Sequence, residues 1–354
     1  MSTEFSTATG KSSFARVEDT WYVACLSKSL KQNPQVFSLY GQAIVLFRAS
    51  DGRPAALLDR CSHRNVPLSL GQVSESGLQC KYHGWCFDSD GRCQRVPALV
   101  GAANVPSRKV PSWAVMEQQG LVWIYGRPDV EPTTQPYRFP ALDEQGYFTV
   151  YDVLETEGTV HAVAENALDV PHTAFLHGGL FRRDRDRREI EVCVRRWADR
   201  VEAQYIGEQR PGGLIGWILA PKGGELEHYD RFIMPSITQV EYRLGTGSHM
   251  LVSGALTPID EHRTRLFAVV SFKLPFPGWL VASLVKPIAR MIFAQDARIL
   301  DAQRQVIRSF GGEDFVSTEL DALGPQIHRL MRRAARGEVE PDELQLERRF
   351  KMLV

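Results

Sequence analysis

The sequence predicts an α+β protein made of an N-terminal all-β domain and a larger C-terminal domain in which helices bracket an antiparallel sheet. Three observations carry this expectation. Residues 21 to about 126 read as short apolar runs broken by Gly, Pro, Asp and Ser, the texture of an all-β domain. PDVEPTTQP at 128–136 is polar and Pro-rich, a natural linker. Beyond it, segments of period two lie between two long helical stretches. The division expected is 1–16, a flexible lead; 17–130, the all-β domain; and 131–354, the mixed domain.

Taken in order, MSTEFSTATGKSSF is polar and lacks an apolar signal core, which fits a cytoplasmic protein. QAIVLFRASDGRPAALLDRC predicts two strands joined at 50–53, with Asp-Gly as the turn pair. CFDSDGRC is a second hairpin signal, and GLVWIYG reads as a closing strand. After the linker, FTVYDVLET, IEVCVRRW, RVEAQYIG, RFIMPSITQVEYRL and RTRLFAVVSFKL alternate as strands of one large antiparallel sheet. HAVAENALDVPHTAFLH precedes that sheet as a helical segment, and KPIARMIFAQDARILDAQRQVIRSF follows it as a long helix after Pro287. A last helix is expected over 319–336, stopped by Gly337. There is no internal repeat.

Bulk properties exclude several classes. The 354 residues carry 44% hydrophobic and 24% charged residues, ordinary for a globular chain. Lys plus Arg (42) balance Asp plus Glu (42), so nothing advertises nucleic-acid binding. The mixed-sign run RRDRDRRE at 182–189 reads as a solvated turn or helix edge. LPFPGWLVASLVKPIARMIFA holds three Pro, a Lys and an Arg, too interrupted to span a bilayer, which leaves only surface contact with a membrane open. Neither G-x-S-x-G nor G-x-G-x-x-G occurs, so a serine hydrolase elbow and a dinucleotide site are not indicated. Six Cys in a chain of this length argue against a disulfide scaffold; four of them fall within 61–93, and two of those pair with a His.

Cys61 and His63 form C-x-H, and Cys80 and His83 form C-x-x-H. Zinc accepts two Cys and two His, but its pairs are usually separated by two to four residues. A Rieske [2Fe–2S] cluster, with Cys on one iron and His on the other, suits two loops that each donate one of each. CSHRNVPLSLGQV and LQCKYHGWCFDSDGRC resemble the cluster-binding segment of Rieske non-haem iron oxygenases. The resemblance implies that Cys61 and Cys80 bind one iron, that His63 and His83 bind the other, and that Trp85 packs over the cluster. Cys86 and Cys93 match no ligand position.

A second constellation lies in ENALDVPHTAFLH. His172 and His177 are five residues apart, and on a straight helix five residues turn about 500°, leaving the side chains ~140° out of line. Asn166, Asp169, His172 and His177 fall at the spacings of the family's mononuclear iron segment, which carries Fe(II) on two His and a carboxylate. The spacing then demands a distorted helix, such as a π-bulge. For the carboxylate, the downstream helix offers Asp296 and Asp301. Asp296 shares its face with Ile292, Ile299, Leu300 and Gln303, an apolar stripe where an unpaired carboxylate is costly. Asp301 has Arg298, Arg304 and Arg308 beside it and is the second choice. FAQDARILDAQ also resembles the family's third-ligand context at Asp296. Asp169 is expected to accept a hydrogen bond from the far nitrogen of His172 and, by resemblance, to bridge to a cluster His of a neighbouring subunit; its plainer reading is a helix cap. Asn166 is a weaker candidate beside it. His161, His228, His249, His262 and His328 have no pattern linking them, although His161 is near enough in sequence to line the pocket.

The resemblance implies a Rieske domain followed by a helix-grip catalytic domain, assembled as a homotrimer. It implies a terminal oxygenase that takes NAD(P)H electrons from a separate reductase, directly or through a ferredoxin. With O₂ it would hydroxylate, and on a methyl group thereby demethylate, a hydrophobic aromatic or sterol- or terpenoid-like molecule. The chain looks most like the homomeric monooxygenase and demethylase branch. Ring dihydroxylation and desaturation stay open on the same scaffold. So do two readings from other classes, a Rieske electron carrier and a catalytically silent lipid-binding module.

Overall fold

The computed structural model describes residues 12–177, 187–208, 226–244 and 247–354. The chain divides into two compact units, one of residues 17–139 with 257–260 and a larger one of 1–16, 140–256 and 261–354. The lead expected to be flexible lies outside the described residues up to residue 11. Its remainder packs in the larger unit: Ser13 and Ala15 are buried, and the Ser13 hydroxyl lies 2.8 Å from that of Thr159. The mixed-charge run at 182–189 falls mostly outside the described residues.

The smaller unit is all β. Its strands are β1 (Trp21–Leu26), β2 (Gln35–Leu39), β3 (Gln42–Arg48), β4 (Pro54–Leu58), β5 (Gln72–Ser74), β6 (Gly77–Gln79), β7 (Cys86–Phe87), β8 (Cys93–Arg95), β9 (Ser112–Gln118) and β10 (Leu121–Pro128). They form a six-stranded sheet in the order β1-β10-β9-β4-β3-β2 and a four-stranded sheet in the order β5-β6-β7-β8. The Asp51-Gly52 turn joins β3 to β4, with Ile44 opposite Leu58 and Arg48 opposite Pro54. One apolar cluster fills the larger sheet around Phe37, Ile44 and Trp113. A second cluster, with Phe47, Leu68, Leu78, Phe87 and Val110, includes Cys61 and Cys80 and so anchors the two loops that carry them.

The larger unit contains β11 (Phe148–Glu157), α1 (Val160–Leu168), α2 (Thr173–Leu176), β12 (Glu189–Arg196), β13 (Arg200–Ile206), β14 (Leu226–Ile233), β15 (Ile237–Leu244), β16 (Ser248–Pro258) and β17 (Arg263–Lys273). It closes with α3 (Gly278–Phe310), α4 (Gly324–Ala335) and β18 (Leu346–Leu353). One eight-stranded sheet runs β11-β17-β16-β15-β14-β13-β12-β18, the antiparallel sheet with a long helix that the sequence predicts. RFIMPSITQVEYRL holds two strands, β14 and β15, rather than one, because the chain turns at Met234–Ser236. Strict alternation turns one face of this sheet inward: in β14, Leu226, His228, Asp230 and Phe232 are all buried.

The long helix differs from expectation at its start. It begins at Gly278 and runs through Pro287 for 33 residues, roughly 50 Å. An internal Pro removes one backbone hydrogen bond and strains the turn before it, about 3 kcal/mol. Burial of Val281 against Val270 and Phe272, with Val285 packed beside them, offsets that loss. The apolar LPFPGWLVASLV therefore supplies the first turns of α3 rather than a separate flank before it. Along α3, Val285, Ile288, Ala289, Ile292, Phe293 and Leu300 face a cavity, whereas Ile299 is 50% exposed and off that face. The last helix starts at Gly324 rather than 319, with Pro in its first turn. All six cysteines are free. No helix among the described residues is long and apolar enough to cross a membrane.

Candidate metal centres and substrate cavity

Two loops of the smaller unit fold to the same local plan. In the first, the amide of Cys61 donates to Val66 O at 2.9 Å and the amide of Asn65 donates to Cys61 O at 2.9 Å. In the second, Cys80 N donates to Trp85 O at 2.8 Å and Gly84 N to Cys80 O at 3.1 Å. Each loop closes on a residue in the left-handed region, Asn65 at φ 63° and Gly84 at φ 68°. At Gly84 an added Cβ would also stand 3.0 Å from Pro97 Cγ, so glycine suits both the backbone and the space. Cys61 and Cys80 are buried, while His83 is exposed.

The loops bring the four side chains together. The His63 and His83 rings are 4.6 Å apart, and Trp85 stacks on His63 at 4.6 Å with an interplanar angle of 2°. Burial, and then the adjacent Cys80, push the Cys61 thiol up to about 11. Burial, with His83 and Arg64 nearby, lowers His63. His63 Nδ1 is buried without a hydrogen-bond partner, an expense that ligation removes. The raised Cys61 thiol beside the lowered His63 fits a cationic cluster core, which would hold the thiolate in place. Cys86 and Cys93 are buried thiols on β7 and β8, both raised by burial.

The second constellation is set by a chain break. Thr159 caps α1, accepting from Ala162 N at 3.1 Å. The helix ends at Leu168 because Pro171 has no N–H to continue it and disfavours helical backbone at the residue before it. Asp169 is extended (φ −89°, ψ 110°), and the four-residue α2 restarts with His172 before its first residue and His177 after its last. The bend expected here is thus a gap between two helices, not a π-bulge. With one imidazole at each end of a single turn, the rings converge despite their five-residue spacing: His172 Nε2 and His177 Nε2 are 3.2 Å apart.

From α3, Asp296 Oδ1 reaches within 3.1 Å of His177 Nε2 and 3.6 Å of His172 Nε2. The three ligand atoms all lie within 4.8 Å of one another, close enough to share one metal ion. Asp296 is 15% exposed, and its Oδ1 is buried with no hydrogen bond of normal geometry. A buried carboxylate oxygen facing two imidazole nitrogens fits a divalent cation of the borderline type. Burial lowers His177, but Asp296 and then Gln295 outweigh it and raise the group overall. Asp301 is exposed and takes a hydrogen bond from Gln305 at 3.1 Å instead of the arginine partner expected for it.

Gln295 carries a role that sequence reasoning missed, although it stands next to Asp296. Its Oε1 lies 2.8 Å from His177 Nδ1. An amide oxygen there accepts from Nδ1–H and leaves the Nε2 lone pair aimed at the cation site. Replacing Gln295 by Leu is expected to weaken iron binding about 10–100-fold while the cluster stays loaded. Chelator competition measures this, and unchanged affinity would show that the contact does not orient the ring.

Asp169 Oδ2 lies 3.4 Å from His172 Nδ1 and 3.3 Å from the His172 backbone N–H. Its side chain is 37% exposed, so the carboxylate also meets the surface. One helical turn earlier, burial and then Asp321, Asp169 and Glu313 push Glu165 up to about 7. Asn166 lines the same cavity. His161 does not: its Nε2 lies 2.9 Å from Gly324 O, and it packs against His328.

The cavity has a volume of about 260 Å³ and runs between α1, α3 and the inner sheet face. Its metal end holds His172, His177 and Asp296, and its wall is mostly Val, Leu, Ile, Ala and Phe. His228 and Asp230 also line it, so His228 is neither isolated nor a surface residue.

Residues 20–113 match the family model of the Rieske [2Fe-2S] domain, and residues 157–337 match that of the vanillate O-demethylase oxygenase C-terminal domain. The methylxanthine N1-demethylase of Pseudomonas putida is 33% identical over 263 residues, covering 70% of this chain and 71% of that protein. The chloroplastic chlorophyllide a oxygenase of Oryza sativa subsp. japonica is 34% identical over 168 residues, 47% of this chain, and the match spans only 30% of that longer protein. Among solved structures, dicamba monooxygenase bound to 3,6-dichlorosalicylic acid superposes with a TM-score of 0.78 at 24% identity. That match covers 91% of this chain and 98% of the other, a likeness of fold.

Proposed function

The chain belongs to the Rieske non-haem iron oxygenases, and from that premise we propose that it is the terminal oxygenase of a multicomponent system acting on a hydrophobic small molecule. The observation that carries this reading is the convergence of His172 Nε2, His177 Nε2 and Asp296 Oδ1 at one end of an apolar cavity. When bound, the [2Fe–2S] cluster supplies single electrons and the mononuclear iron supplies O₂ activation. Cys61, Cys80, His63 and His83 hold the cluster in this reading. The three side chains that line the cavity, His172, His177 and Asp296, would hold the iron.

The chain's own residues divide the rest of the work. Gln295 keeps His177 in the ligating tautomer. The α3 face from Val285 to Leu300 and the sheet wall exclude water, so the substrate is held by apolar burial, about 25 cal/mol per Å². Asp169 links His172 towards the surface and, in a homotrimeric ring, to a cluster His of the adjacent subunit. Asn166 borders that link. With no dinucleotide fingerprint in the sequence, reduction is assigned to a separate NAD(P)H-dependent reductase, directly or through a ferredoxin. Free cysteines throughout fit a cytoplasmic location. Hydroxylation of a methyl group, appearing as demethylation, accords with the demethylase among its relatives.

Iron counting tests the reading. An oxygenase holds three irons per chain, and an electron carrier holds two. His172→Ala is expected to leave two irons and the cluster spectrum, and to lose O₂-dependent product. Three irons with full turnover in that variant would remove the catalytic assignment.

A further inference from the structure

The inner face of β14 carries a charged group that the metal chemistry does not use. His228 is 1% exposed, with Nδ1 2.6 Å from Glu208 Oε2 and Nε2 3.0 Å from Asp230 Oδ1. Both ring nitrogens face carboxylates, so both donate and the ring is an imidazolium. Tyr205 and Tyr242 stack on its two faces at 4.6 and 4.4 Å, an arrangement that favours a cation. Burial lowers His228, but Asp230 and Glu208 outweigh it and push it up to about 9.

Asp230 is 2% exposed and lines the cavity. Its Oδ1 is taken by His228, while its Oδ2 accepts no hydrogen bond from the described residues. A strut that only tied the strands together would use both oxygens, because a buried carboxylate oxygen left without a donor is costly. The metal triad lines the same cavity, whose wall is mostly apolar.

We propose that Asp230, held by His228 and Glu208, is the polar anchor of the substrate cavity. It selects an apolar molecule that carries a hydrogen-bond donor, an ammonium or an N–H or O–H group, and it rejects carboxylates. This rests on reading the cavity as the substrate site of an oxygenase. Oδ2 accepts the donor, and the rest of the molecule extends along the apolar wall towards His172, His177 and Asp296. An anion brought to Oδ2 meets the Asp230 carboxylate in a dry site, which disfavours it strongly.

Four probes on one skeleton test it against the iron-loaded protein without reductant: 2-naphthylmethylamine, 2-naphthol, 2-methoxynaphthalene and 2-naphthoate. A buried hydrogen bond to a charged group predicts that the amine binds about tenfold to a hundredfold tighter than the methoxy compound. The naphthol should fall between them and the naphthoate last. In Asp230→Asn the advantage of the amine should shrink to about twofold, with methoxynaphthalene binding unchanged. Equal binding of the four probes, or a preference for naphthoate, overturns the proposal on the wild-type chain alone, even if the variant does not fold. The oxygenase reading fails separately, by an iron count of two, which leaves the probe ranking as it was.

Discussion

Asp296→Asn is expected to lose the mononuclear iron and all O₂-dependent product, while the cluster stays loaded. The residue supplies the only carboxylate of the group, with Oδ1 3.1 and 3.6 Å from the two imidazole nitrogens. Two neutral His would then face a divalent cation with no charge to balance it. Removal of a partner that merely orients a ligand weakens metal binding about 10–100-fold, so loss of a direct ligand should exceed the upper end of that range. The control is Asp301→Asn, which changes an exposed carboxylate bonded to Gln305 and should alter iron content and turnover by less than about twofold. Iron per chain after desalting, read beside the cluster absorbance, measures both. An Asp296→Asn protein with three irons, or an Asp301→Asn protein with two, would transfer the third-ligand role to another residue.

The sequence argument that favours Asp296 over Asp301 agrees with the structure only in part. The apolar face of α3 does carry Asp296 with Ile292 and Leu300. Ile299 and Gln303 belong to the exposed side, because helical period alone does not say where a face ends. The start of α3 was misplaced by nine residues of helix, since Pro287 is a breaker by propensity and only tertiary burial of Val281 carries the helix through it. The cluster loops are easier to read: their four candidate residues lie within 23 positions and bring their own turns, so local spacing points to both loops.

Other features were hidden because their meaning is tertiary. The strand β18 buries little beyond Met352, and its charged outer positions mask the alternation that an inner strand would display. His228 and Asp230 occupy inward positions of β14 between Leu226 and Phe232. The period-two pattern was there to mark them as inward polar residues, but Glu208, Tyr205 and Tyr242 come from elsewhere on the sheet and its margin. The reach of Gln295 to His177 likewise depends on how α3 crosses the break between α1 and α2.

Asp169→Asn is the second large effect, and it separates a relay from a cap. A cap needs only an oxygen near the His172 backbone N–H, now 3.3 Å away, and Asn serves that purpose about as well as Asp. If capping were the whole role, the variant would melt within about 1 °C of the parent and turn over normally. If Asp169 holds His172 Nδ1–H and bridges to the neighbouring subunit, the loss falls elsewhere. An amide oxygen can still accept from Nδ1–H, so the iron stays bound, but the amide carries no charge to stabilise the ring. A carboxylate-to-amide change behind a working His has cost about 10⁴-fold in another enzyme where the geometry stayed intact. The expected result is therefore a protein with its cluster, three irons and melting temperature unchanged, but with product formation down about 10²–10⁴-fold. Single-turnover reoxidation of the pre-reduced cluster by O₂ in the presence of substrate reads the same defect without the reductase. Reoxidation and product yield at the parental rate would leave Asp169 as a cap and remove the proposed link to a neighbouring subunit.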